Sequence, residues 1–247
     1  MEQQNTQIVE FKSKWQLLLS LALSLALTAC GGGGGGEHLS GIESQTQLSG
    51  QVMDGYIQGA TVCLDLNNNG TCDANNNEPS TVSGVNGAYT LNHNASVALS
   101  GLSILANVPV GAIDQDGPSY TVYTAYQMRT AAQAPALITP LTTLAVYEMK
   151  ASGATWTQAQ QTVSTRLMGD AQALNFSQDY VAQANNALHT LARSVANTLQ
   201  TAALNGDAPA AILAAAYNAP QAMPFTLQVA APLSAHSNDY LLPNNKP

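Results

Sequence analysis

Charge is what this sequence has least of. Only 9% of its 247 residues are Asp, Glu, Lys or Arg, against roughly 25% in an average soluble domain. Basic residues number 7 and acidic ones 15, for a net charge of −8. There is therefore no electrostatic footprint for nucleic acid, and no basic patch that would hold the chain on anionic lipid. Asn, Gln, Ser and Thr fill the gap, so the low charge is not membrane character. Catalytic signatures are missing as well: there is no Gly-x-Ser-x-Gly, no Walker loop and no His-Glu-x-x-His. The four histidines (38, 93, 189 and 236) are scattered. His189 precedes Arg193 by four residues on an expected helix and reads as a surface or packing residue. Asp114 and Asp116 alternate in a turn and read as solvated rather than as a general acid/base pair. Glu148 is the acid of the expected helices best placed for a pocket. On these grounds the chain is expected not to be an enzyme.

What is present begins with an address. Lys12 and Lys14 precede an apolar run, Leu17–Ala29, of 13 residues. A spanning helix needs about 20, so residues 1–29 read as a signal segment. Leu27-Thr28-Ala29-Cys30 resembles the lipobox of bacterial lipoproteins. The resemblance implies cleavage before Cys30, diacylglycerol on its sulfur and a further acyl chain on its amine, and several chains anchor where one would not. The plain alternative is a secretory peptide followed by a coincidental Cys. Six consecutive glycines, 31–36, follow. Each would lose maximal backbone entropy on ordering, so residues 30–46 read as a tether, the six glycines spanning on the order of 13 Å. Gly31 stands after the acylated Cys where an Asp would retain enterobacterial lipoproteins at the inner membrane. That resemblance points to the outer membrane, with the lipid bilayer as the partner of Cys30.

From about Gln47 the pattern becomes short apolar–polar alternation broken by turn residues. Strands are expected at Gln47–Met53, Thr61–Leu66, Thr81–Ser83, Ala88–Leu91, Ser103–Val108 and Tyr120–Met128. Gly84-Val85-Asn86-Gly87 reads as a hairpin turn between the third and fourth of these. Such strands predict an antiparallel β-sandwich over residues 47–130. Within it, Asp65, Asn67, Asn69 and Asp73 place oxygen side chains at alternate positions. Gly70 is sixth in the loop, Thr71 offers its backbone carbonyl, and Glu78 lies just beyond the twelfth position, Asn76. A hard cation wants such a ring of oxygens, so Asp65, Asn67, Asn69, Thr71, Asp73 and Glu78 are candidate calcium ligands, with an affinity of about 10⁻⁴–10⁻³ M that still serves an extracellular module. An Asn-rich turn without metal is the competing reading. Cys63 and Cys72 bracket the loop and are the pair left once Cys30 takes lipid, so in an oxidising compartment they are expected to form a disulfide. They lack Cys-x-x-Cys spacing for redox work.

Gly50-x-Val52-x-Asp54-Gly55-Tyr56-Ile57-x-Gly59-Ala60-x-Val62-Cys63-Leu64-Asp65, then Asn67, Asn69-Gly70, Cys72-Asp73, Glu78-Pro79 and Gly87-x-Tyr89, resembles the carboxypeptidase-regulatory-like and SdrD B-like modules of bacterial surfaces. The resemblance covers about Gln47 to Leu91. It implies a prealbumin- or immunoglobulin-like sandwich in an accessory role such as spacing or adhesion, and some SdrD B-like repeats bind calcium through a loop of this kind.

The second half predicts a small α-helical domain over residues 136–218. Thr139 caps a helix that Pro140 opens. Thr157–Met168 forms another, stopped by Gly169. A long helix is expected over Ser177–Leu204, capped by Ser177, with Leu188, Leu191, Val195 and Leu199 on one stripe. Pro209–Tyr217 is a fourth. Residues 219–247, with prolines at 220, 224, 232, 243 and 247, read as an irregular tail. The whole is expected to be α+β, a sandwich followed by a bundle. The function it suggests is non-enzymatic: a lipid-anchored outer-membrane protein for adhesion, scaffolding or assembly. The alternative is a glycan- or peptide-binding module using Tyr120, Tyr123 and Tyr126, and behind it a hydrolase with an unfamiliar site. The protein or glycan partner is not written in the sequence.

Overall fold

The computed structural model describes residues 44–116 and 121–218. The signal segment, Cys30, the glycine run, Tyr120 and the 219–247 tail lie outside the described residues. The architecture is mixed α+β, with antiparallel sheets and four helices. The strands are β1 (Gln45–Val52), β2 (Ile57–Gln58), β3 (Thr61–Asp65), β4 (Ser80–Val82), β5 (Ala88–Asn94), β6 (Ser103–Val108), β7 (Ile113–Asp114), β8 (Tyr126–Ala131) and β9 (Leu137–Ile138). The helices are α1 (Pro140–Ser152), α2 (Trp156–Met168), α3 (Asn186–Asn205) and α4 (Pro209–Asn218).

One sheet has the order β4-β3-β6-β8, antiparallel throughout. A second has the order β5-β1-β9, with β9 parallel to β1. β2 and β7 form a short ribbon. Period-2 burial is clearest on β5, where Tyr89, Leu91 and His93 point inward and Ala88, Thr90 and Asn92 outward.

Three expected elements differ. Residues 84–87 do not join a hairpin: β4 pairs with β3, and β5 pairs with β1 over Gln45–Gln51. The turn instead carries the chain from one sheet to the other. It can do so because Gly87, at φ +67°, lies against the Val52 carbonyl, where a side chain would collide. Opposite Tyr89, Gly50 leaves room for the backbone of Pro135 and Ala136. The strand expected at 120–128 begins at Tyr126 and runs on to Ala131. Val122 is instead tied back to residues 111–112 by Val122 N–H to the Ala112 carbonyl (2.8 Å) and Gly111 N–H to the Val122 carbonyl (2.9 Å). The long helix starts at Asn186, not Ser177. Its cap is Asn185, whose side chain accepts from Leu188 N–H at 3.1 Å, while Ser177 N–H is taken by the Asn175 side chain in an Asx turn.

The other helix signals hold. Thr139 and Thr142 form a reciprocal cap around Pro140, and Gly153 and Gly169 end α1 and α2 in the left-handed conformation. The Thr139-Pro-Leu-Thr-Thr143 string also sews α1 to β8. Thr142 Oγ1 donates to the Arg129 carbonyl (2.7 Å), and Thr143 Oγ1 accepts from Arg129 N–H (2.8 Å). Strands and helices share one apolar core, from Leu48, Val62, Ile104 and Met128 through Ile138 and Leu144 to Leu191, Val195 and Leu213. Each fully buried Leu or Ile there contributes about 2 kcal/mol. Among the described residues no helix is long and apolar enough to cross a membrane.

Candidate functional site

Two polar constructions stand out against this apolar frame. The first is the loop that leaves β3. Its ends are closed by the Cys63–Cys72 disulfide, Cα atoms 5.7 Å apart, so the expected pairing is present. The loop is wound by its own side chains. Asp65 Oδ2 accepts from Gly70 N–H (3.0 Å), Asn67 Oδ1 from Asn69 N–H (2.9 Å) and Asn69 Oδ1 from Thr71 N–H (2.8 Å). Thr71 Oγ1 donates to Asp73 (3.0 Å), whose carboxylate also receives the Asn67 amide at 3.3 Å. Glu78 is buried and spans the loop from below, accepting from Leu66 N–H (3.0 Å) and Asp73 N–H (2.8 Å). Gln127 donates to the Gly70 carbonyl at 3.0 Å and Arg129 to the same oxygen at 3.4 Å, which lays the loop on β8. Arg129 also stacks 5.3 Å from the centre of the Tyr147 ring. Asp65 is 0% exposed, and its Oδ1 has no hydrogen-bond partner among the described residues. The six candidate ligands therefore belong to one loop, knit mainly by Asx turns, with one buried carboxylate oxygen left over. Among the described residues no group of three His, Cys, Asp or Glu side chains is gathered closely enough to hold a metal by those side chains alone. A cation here would need the Asn and backbone oxygens as well.

The second construction corrects the reading of Asp114 and Asp116 as solvated turn acids, and of the two readings of His189 it bears out packing over surface: the three side chains meet in the interior. Asp116, its side chain 9% exposed, lies with Oδ2 3.0 Å from His189 Nε2 and in contact with Arg193 Nη2. The imidazole N–H is not aligned on that oxygen, so this is an ion-pair distance without a hydrogen bond. Asp54, 5% exposed, accepts from the Tyr126 hydroxyl at 3.3 Å through Oδ2, while Oδ1 is buried with no hydrogen-bond partner among the described residues. Gly55 packs so tightly against the Asp114 and Asp116 carboxylates that a Cβ there would overlap both. Tyr180, with its ring centre 5.2 Å from that of His189, donates to the Met53 carbonyl (3.0 Å), and Tyr56 donates to Asp179 (2.7 Å).

Burial, helped by the charge of Asp114, pushes the Asp54 carboxyl up to about 7, against the pull of Arg193 and His189. Burial raises Asp114 too, and it lowers His189 despite the nearby carboxylates. The one sequence signal for this cluster was the i, i+4 spacing of His189 and Arg193, which puts both on one face of α3. Their partners lie some seventy residues away and carry no local mark.

The remaining candidates separate. Tyr126 is buried on Asp54 while Tyr123 is 62% exposed, so these two rings share no stacking surface. Glu148 accepts from the Tyr217 hydroxyl at 3.0 Å and ties α4 to α1. No family model matches the chain, and neither does any curated protein or solved structure.

Proposed function

We propose that this chain is a lipid-anchored protein of the outer membrane, held through an acylated Cys30, and that its folded part is a non-enzymatic module for adhesion, scaffolding or envelope assembly. In this reading the β half is a sandwich of the prealbumin or immunoglobulin-like kind and the helices form the bundle that follows it. Calcium clasps the Asp65–Glu78 loop. The observation that carries the proposal is that loop. A disulfide closes it, which suits an oxidising compartment outside the cytoplasm. Its Asx turns leave Asp65 Oδ1 buried and unpartnered, and a buried carboxylate oxygen in that state calls for a cation or a donor. The Asp65, Asn67, Asn69, Asp73 and Glu78 side chains and the Thr71 carbonyl are the oxygens at hand, the hard-donor set calcium takes.

Two measurements test it. Cells fed an alkynyl fatty acid should label the wild-type chain, and Cys30→Ser should lose both the label and the membrane fraction. An unlabelled wild-type chain removes the anchor from the proposal. Separately, a ligand that binds only the native state must raise the melting midpoint. Millimolar calcium should therefore raise the midpoint of the oxidised full chain, EDTA should reverse the rise, and Asp65→Ala should abolish it. An unchanged midpoint means that the loop is a disulfide-pinned turn without metal.

A further inference from the structure

The strand at the end of a sheet shows backbone groups that its own sheet does not pair. Most such ends in this fold are short or covered. β9 is two buried residues, β4 is three residues, and β2 and β7 are two each. β8 lies against α1, where Thr142 and Thr143 take the Arg129 carbonyl and N–H. β5 differs: it ends the β5-β1-β9 sheet with seven residues.

The ladder fixes which of its backbone groups face outward. Ala95 N–H donates to the Ser44 carbonyl at 2.8 Å, in register with the β1–β5 pairing. Alternation along an antiparallel pair then turns the N–H and C=O of Tyr89, Leu91 and His93 toward β1, and those of Thr90 and Asn92 away from it. The Ala88 carbonyl, in the same phase as Thr90, also faces away and is taken by Gly84 N–H at 2.9 Å. Among the described residues nothing pairs the backbone of Thr90 or Asn92.

The usual protections of an edge are missing here. β1 and β5 carry no Asp, Glu, Lys, Arg or Pro, and their pairing runs without a bulge. Their outer face is amide and hydroxyl: Gln47 bonds Asn92 at 3.0 Å and Ser49 bonds Thr90 at 3.1 Å. In a chain of net charge −8, this edge lets two copies meet without like charges directly opposed.

We propose that β5 is a self-association edge, through which two copies of the chain join antiparallel into one sheet of order β9-β1-β5-β5-β1-β9. The strand is its own complement. With Leu91 on the two-fold axis, Thr90 of each copy stands opposite Asn92 of the other, and each such pair exchanges N–H and C=O. The Asn92 amide then meets the Thr90 hydroxyl across the seam, extending the polar rows that already cross from β1. A foreign strand would be selected by pockets for its side chains. Here the inward residues Tyr89, Leu91 and His93 are already buried in the core, which leaves the backbone and the polar rows to recognise a matching strand. The two-fold consumes both edges, so assembly stops at two copies. The pairing uses neither lipid nor calcium, so its test is separate from those above.

The full chain in density-matched detergent with EDTA is measured by sedimentation equilibrium between about 10 µM and about 1 mM, the range suited to so small an interface. The protein mass should rise toward that of two copies and no further. Over the same range, amide exchange at Thr90 and Asn92 should slow about tenfold, while Tyr89 and Leu91, already bonded to β1, change little. Thr90→Pro removes an N–H that β1 does not use, and an edge strand accepts Pro at such a position. It should weaken association at least about tenfold, because the two-fold removes two hydrogen bonds at once. Asn92→Lys sets a cation at the seam in both copies and should weaken it comparably. Gln47→Lys puts the same charge on the neighbouring strand and should associate like the wild type. A chain that stays monomeric at about 1 mM overturns the proposal, and so does a mass that grows past two copies. A dimer that both Thr90→Pro and Asn92→Lys leave intact overturns it as well. So do Thr90 and Asn92 amides that are already slow in the monomer, since the chain would then cover its own edge. If Thr90→Pro does not fold, Asn92→Lys and the wild-type exchange decide.

Discussion

Replacing Gly87 by Ala is expected to lower the melting midpoint by about 10 °C, an effect of about 3 kcal/mol for a domain of this size. Two costs combine. Gly87 sits at φ +67°, a conformation that costs a residue with a Cβ about 1 kcal/mol. The new methyl would also overlap the carbonyl oxygen of Val52. That neighbour is backbone, so no side-chain rotation relieves the clash. Either β1 shifts, disturbing its ladder with β5, or the turn between the two sheets reopens. Gly101 provides the comparison. It also has positive φ, at +80°, but nothing stands within 4 Å of where its Cβ would be, so Gly101→Ala should cost only the conformational part. Circular dichroism melts of the two variants separate strain from contact. Equal midpoints would mean that the turn does not press on β1.

How much of this was legible beforehand varied with the range of the interaction. The start of α1 and the end of α2 were readable because Thr139, Pro140 and Gly169 act within a few residues of themselves, whereas the caps Gly153 and Thr155 were not picked out. β6 was readable because Ile104, Leu105, Ala106 and Val108 form a short, mostly apolar stretch between Gly101 and Pro109. The cysteine pair was readable by counting. The hairpin at 84–87 misled because Gly-x-Asn-Gly is locally an excellent reversal, and only the competing partner, β1, decides that β5 goes to another sheet. The start of α3 misled for a related reason. Ser177 is a competent cap, but the 177–185 segment is drawn off to place Tyr180 on the Met53 carbonyl and Asp179 on Tyr56. The same long-range docking hid the buried cluster. Asp54, Asp114 and Asp116 look like ordinary turn acids, and only the fold sets Asp116 against His189 and Arg193 and buries Asp54 and Asp114 nearby. In the disulfide loop the pattern and the place agree, because its side chains bond chiefly to one another.

Arg193→Met should be the most damaging single charge removal in the described part of the chain, and its cost should depend on pH. Arg193 is mostly buried, with its side chain 19% exposed, and it pairs with Asp116. Its charge also pulls the Asp54 and Asp114 carboxyls down against the effect of burial. Methionine fills a similar volume, so packing is largely kept and the change isolates the charge. Without the guanidinium, three buried carboxylates face one imidazole that burial disfavours charging. Stripping the partner from a buried ion costs about 3–5 kcal/mol, and the partial exposure of this side chain places it at the lower end. The loss should be greatest near pH 8, where the carboxylates must ionise or pull protons from solvent. It should shrink near pH 5, because the protonated acids no longer need the cation. Arg166→Met is the control: that side chain is exposed on α2, so its removal should move the midpoint little at either pH. Urea denaturation of both variants at the two pH values measures the difference. A loss for Arg193→Met that is the same at pH 5 and pH 8 would place its contribution in packing, and the charge balance of the cluster would then not be what holds α3 to the strands.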